Sequence, residues 1–153
     1  MRSLIAKLSK FMKLNFKRKL LLLEAFLFLA RARYLKLLPF EKVAPTLGKQ
    51  SLETTIAASQ NDRLIKDISS AIETVSKHTF WESACLVQAF AVIRMLNRRQ
   101  IETTLYMGIA RDENGKMIAH AWVRSGPLYV TGAEMMNKFT VVRTFANGPN
   151  LLR

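Results

Sequence analysis

The spacing of apolar residues changes period near residue 100, and this change restricts the fold more than any other feature of the chain. Before it, apolar residues recur at helical spacing. Leu64, Ile65, Ile68, Ile72 and Val75 form one stripe, and Leu86, Ala89, Phe90, Ile93 and Leu96 form another. After it, Leu105, Met107 and Ile109 alternate with Tyr106 and Gly108. Met117, Ala119, Ala121 and Val123 alternate in the same way with Ile118, His120, Trp122 and Arg124. Alternation with period two puts each set on one face of a strand. Asp112-Glu113-Asn114-Gly115 between the two runs supplies Asn-Gly turn chemistry. Ser125-Gly126-Pro127 is a second turn, leading to a short strand over 128–131, with a fourth expected over 139–143. Helices followed by an antiparallel sheet make the fold class α+β.

The helix ends follow from local chemistry. Asn61 or Asp62 can cap a helix that runs to about His78. Ser83 is the expected cap of a helix over 84–97, and Arg98-Arg99 at its end suit the macrodipole. Upstream, a helix over 17–38 is predicted to stop before Pro39, which disfavours helix in the residue preceding it. Leu4, Ile5, Leu8, Phe11 and Met12 share one helical face opposite Lys7, Lys10 and Lys13. Residues 41–61, polar and containing Pro45 and Gly48, read as a connector with little regular structure. The division expected is therefore a basic helical docking segment at 1–40, the connector, and a body at 62–153.

At 153 residues the chain is one folding unit with room for one core. Its charge of +13 is concentrated at the front, where residues 1–50 hold 12 Lys and Arg against 2 Glu. Such a block suits nucleic acid, an anionic membrane surface or an acidic protein. A single cysteine excludes a disulfide framework and a four-thiolate metal site, and no cofactor or metal motif is present in the sequence. Lysines interrupt every apolar stretch before residue 20, so no secretory signal is read there. The apolar run over 20–30 is too short to span a bilayer. A cytoplasmic location is the expectation.

Cys85 falls in the first turn of its predicted helix, where backbone N–H groups and the helix dipole favour a thiolate. His120 follows on a strand, on the same face as Trp122. A helix-start cysteine and a strand histidine are the two halves of a papain-like or transglutaminase-like site, the histidine taking the thiol proton and returning it to the leaving amine. The Cys85 backbone N–H is the default oxyanion donor. Gln88, one turn further on, is placed to face the cleft, and Trp122 to shield the pair from water.

The words Cys85-Leu86-Val87-Gln88-Ala89, Arg98-Arg99-Gln100-Ile101, Leu105-Tyr106-Met107-Gly108-Ile109 and Ala119-His120-Ala121-Trp122-Val123 occur here in a particular order and spacing. In these the chain resembles the lasso-peptide leader peptidases, transglutaminase-like cysteine proteases of bacterial peptide natural-product biosynthesis. The resemblance implies an endopeptidase that removes the leader from a ribosomally made precursor peptide, before a separate ATP-dependent cyclase closes the ring. It also implies the split form of the system, in which a separate recognition protein holds the leader. The family's third catalytic residue is an aspartate about a dozen positions after the histidine. Counting across the turn centred on Gly126 places Gly132 opposite His120, and no carboxylate stands at 131–133. Glu134 is then the candidate for orienting the imidazole, with a backbone carbonyl or Asn137 as alternatives.

A reading from another class competes with this one. It is a non-catalytic membrane-surface or interaction protein with an inactive transglutaminase-like domain, in which residues 4–30 lie on a bilayer and give peripheral membrane contact. Nucleic acid is not expected as a partner, because the basic segment carries aliphatic runs rather than exposed stacking aromatics.

Overall fold

The structure, a computed structural model, describes residues 9, 11–82, 84–149 and 151. Its helices are α1 (Phe16–Leu35), α2 (Phe40–Val43), α3 (Asp62–Ser76) and α4 (Cys85–Asn97). Its strands are β1 (Lys49–Gln50), β2 (Thr103–Arg111), β3 (Met117–Ser125), β4 (Leu128–Thr131) and β5 (Thr140–Asn147). Short 3₁₀ turns occupy Ala44–Thr46 and Ala133–Lys138. The strands form one sheet in the order β1-β5-β2-β3-β4, and every paired neighbour is antiparallel. The α+β expectation holds.

α4 lies on the sheet because both surfaces can close on each other. Val87, Ala91 and Met95 are fully buried, as are Leu105 and Val123 on the strands beneath. α3 packs beside it through Ile65, Ile68 and Ile72, and α1 crosses both helices through Ala25, Leu29 and Ala32. Burying one such aliphatic side chain contributes about 1.5–3 kcal/mol. Residues 16–35, which charge assigned to a docking segment, thus supply side chains to the same core as the body. Among the described residues, no helix is long and apolar enough to cross a membrane.

Several local expectations need adjustment. Leu4, Ile5 and Leu8 lie outside the described residues, while Phe11 and Met12 are helical and exposed. Ser83, expected to cap α4, also lies outside them; the residue at the cap position is Ala84, which has no side-chain oxygen to offer. Asn61 occupies the cap position of α3 without making a side-chain cap bond. The fourth strand is longer and later than 139–143, and it inserts beside β2 instead of extending the meander past β4.

Candidate active site

Cys85 is the first residue of α4 and Ala84 precedes it in extended conformation, so no side-chain cap occupies the first turn. The thiol is half-buried. His120 stands on β3 opposite Gly108 of β2. Glycine is needed there for space, since a Cβ would come within 2.9 Å of the Trp122 ring and 2.8 Å of Phe139. The imidazole sits between two aromatic rings, with the Trp122 centroid at 5.9 Å and Phe139 at 5.0 Å.

A cavity of about 170 Å³ brings the candidate residues together. Cys85 and Gln88 line it from α4, His120 from β3, Ser69 and Glu73 from α3, and Thr131, Gly132 and Glu134 from the end of β4 onward. The Ser69 hydroxyl donates to the Val130 carbonyl at 2.6 Å and so ties α3 to β4 at this cavity. Glu73 carries a hydrogen bond from Lys77, which together with the nearby charge of Lys77 holds its carboxyl below the ordinary glutamate value. Trp122 is buried and lies behind the histidine.

The expected pairing of His120 with Gly132 is corrected by a register shift. β3 and β4 pair Ser125 with Leu128 and Arg124 with Tyr129, but then Val123 with Thr131, because an irregularity intervenes. Gly132 consequently lies beside Trp122, and a Cβ there would be 3.0 Å from Trp122 Cβ. Its φ of +76° turns the chain out of the sheet into the 3₁₀ segment. What meets the histidine is the Gly132 carbonyl, 2.7 Å from Nε2. A carbonyl oxygen only accepts, so Nε2 carries the hydrogen and the lone pair of the neutral ring belongs to Nδ1. Of the three candidates for this contact, the backbone carbonyl makes it. Glu134 lines the same cavity, and the exposed Asn137 does not.

The sequence reading missed a polar strap behind these residues. Arg124, 4% exposed, donates from Nε to the Tyr106 hydroxyl at 3.0 Å, and to the carbonyls of Thr54, Thr55 and Gly126 at 2.9, 3.1 and 2.8 Å. It also pairs with Glu53 at 3.3 Å, and Glu53 accepts from Tyr106 at 2.6 Å. Burial, then the bond to Glu53, raises the Tyr106 phenol above its ordinary value, so it stays protonated and donating through neutral pH. Tyr106 stacks on Trp122, its cross-strand partner, at 5.7 Å and 13°. The strap therefore fixes residues 53–55 over the sheet and supports the aromatic row that ends at His120. Arg124→Met is expected to cost about 3 kcal/mol or more, because buried carbonyls lose a charged donor. Urea unfolding checks this; a loss below about 0.5 kcal/mol would show that the strap carries no stability.

A thiol at a helix start beside an imidazole of fixed tautomer is a chemistry of acyl transfer. The comparisons agree in outline. A family description, the transglutaminase-like superfamily, matches residues 34–144. No curated protein matches the chain, and no solved structure does. The matched region contains Cys85, Gln88, His120, Trp122 and Glu134 and extends over most of the 153 residues; by its sequence and its cysteine-protease-type α+β fold, the chain belongs to the transglutaminase-like superfamily.

Proposed function

We propose that this chain is a cysteine endopeptidase that removes the leader from a ribosomally synthesised lasso-peptide precursor, working with a separate leader-recognition protein and an ATP-dependent cyclase. The observation that carries the chemistry is the shared cavity of Cys85 and His120, with His120 Nε2 committed to the Gly132 carbonyl. The substrate class comes from the four sequence words and rests on them alone.

In this reading the lone pair of Nδ1 takes the Cys85 proton as Sγ attacks the scissile carbonyl carbon. The oxyanion that forms is met by backbone N–H groups of the first turn of α4, which the Ala84 cap leaves without a side-chain acceptor. The imidazolium then protonates the leaving amine, the C–N bond breaks, and an acyl-enzyme remains. Water, deprotonated by the same nitrogen, hydrolyses the thioester and restores the thiol. Trp122 and Phe139 keep bulk water from the ring. Glu134 lines the same cavity as the reacting pair, while Glu73 is held by Lys77 at 2.6 Å.

The test is incubation of the full chain with precursor and recognition protein, read by mass spectrometry for a single cut at the leader boundary. Precursor left intact under conditions where the chain is folded overturns the reading. Glu134→Gln is expected to lower kcat about twofold to fivefold with KM unchanged, the effect of one partly exposed charge. An effect no larger than that of a distant surface substitution removes Glu134 from the site.

A further inference from the structure

α1 has two apolar faces, and among the described residues only one is covered. Inward it buries Ala25, Leu29 and Ala32. Outward, Phe16, Leu20, Leu23, Leu27 and Tyr34 follow at alternating steps of four and three, with Ala30 completing the row, and Leu37 continues it beyond the helix. Phe16, Leu20, Leu23, Leu27, Tyr34 and Leu37 are between 49% and 72% exposed. With Phe26 beside them, they present on the order of 700 Å² of apolar surface, more than the largest patch of an ordinary monomer.

The patch has relief and direction. A cavity of about 510 Å³ opens along it between α1 and α3, lined by Phe11, Leu14, Leu22, Leu23, Phe26 and Val75. At mid-helix Phe26 contacts Trp81, ring centroids 5.3 Å apart, and Trp81 contacts the nearly fully exposed Phe80 at 4.5 Å. Trp81 precedes Cys85 by four residues, so the apolar track runs from the outer helix to the loop that enters the nucleophile helix. Residues 16–33, which carry most of this stripe, lie outside the region matched by the superfamily description.

Charge selects the occupant. The outward half of α1 carries Lys19, Arg31 and Arg33, and its single acid, Glu24, is turned aside to Arg98 and Arg99 at 3.2 and 2.6 Å. Burial, and after it the proximity of Arg31, hold the neighbouring Arg94 guanidinium below its ordinary value. A second copy of this chain would set these cations against their own counterparts with no acid between them. The four-three repeat matches the seam of a partner helix, and a concave groove suits inserted side chains better than a planar bilayer.

We infer that the outward face of α1, with the groove beside it and Phe80-Trp81 at its end, is the docking surface for an acidic amphipathic helix of a partner protein, which delivers substrate toward Cys85. This deepens the reading above and rests on it for what the partner carries. The probe is a synthetic helix of about 20 residues, with Leu and Phe at four-three spacing and Glu between them, titrated by fluorescence anisotropy into the full chain. A scramble of the same composition is the control. The designed helix is expected to bind at least about tenfold tighter than the scramble, and to weaken as salt rises from about 50 to about 300 mM. Leu23→Asp with Leu27→Asp should weaken it about tenfold, and so should Arg31→Glu with Arg33→Glu, which leaves the apolar row intact. Equal binding of helix and scramble, or indifference to the charge-reversed pair, overturns the proposal. Flotation of the chain on anionic vesicles without helix binding also overturns it, in favour of a membrane, and a dimer dispersed by the same variants does so in favour of a second copy. The titration is repeated with Cys85→Ala, whose binding should be unchanged, so failure of the peptidase chemistry leaves this result standing.

Discussion

A Cys85→Ala chain incubated with precursor and recognition protein should leave the precursor whole, with the rate of leader removal reduced at least about a thousandfold. The substitution removes only Sγ from a half-buried position at the start of α4, where alanine is a good helix residue, so circular dichroism should not change. His120→Ala is expected to fall as far, because it removes the imidazole that shares the cavity with the thiol and is held there by the Gly132 carbonyl. The double variant should be no slower than either single one, since nucleophile and base act as a unit. Cleavage that persists in a folded Cys85→Ala chain would sink the mechanism. It would return the chain to the class of interaction proteins, for which the face of α1 left exposed among the described residues is already a structural basis.

The distribution of these residues explains what was legible in the sequence. The helices α3 and α4 could be read because Ile65, Ile68 and Ile72, and then Ala89, Phe90, Ile93 and Leu96, recur at helical spacing and are buried, although α4 buries Val87, Ala91, Val92 and Met95 as well. The β2–β3 hairpin could be read because Gly115 takes φ +77° and the Asp112 side chain accepts from the N–H groups of Asn114 and Lys116, which is local turn chemistry. Cys85 at a helix start and His120 on a strand were legible from local pattern, and the two line one cavity. α1 was legible as a helix but not as a two-faced one, since apolar residues all round do not say which side is covered. The strap of Arg124 joins residues about 70 positions apart through backbone carbonyls, which carry no sequence signature. The partner of His120 was hidden for the same reason, and also because one irregularity between β3 and β4 displaced the register on which the count from Gly126 relied.

That displacement makes Gly132 a positioning residue, and Gly132→Ala should disturb both stability and turnover. At φ +76° an L side chain costs about 1–2 kcal/mol. The added Cβ would also stand 2.5 Å from the Ala121 carbonyl oxygen, a backbone atom held in the β3 ladder and unable to move aside cheaply. The chain at 132 must therefore shift, and with it the carbonyl that now lies 2.7 Å from His120 Nε2. An imidazole released from this contact samples the other tautomer and other rotations, so the nitrogen that carries the lone pair is no longer fixed. The expected result is a loss of about 2 kcal/mol or more in urea unfolding, with kcat reduced about tenfold to a hundredfold and KM nearly constant. Gly132→Asp should fail in the same way as alanine and not rescue it: the position that counting assigned to the family's aspartate has no room for a side chain. A Gly132→Ala chain with unaltered kcat would show that the carbonyl does not hold the histidine during turnover. The small loss expected from Glu134→Gln would then be the place to look for the group that does.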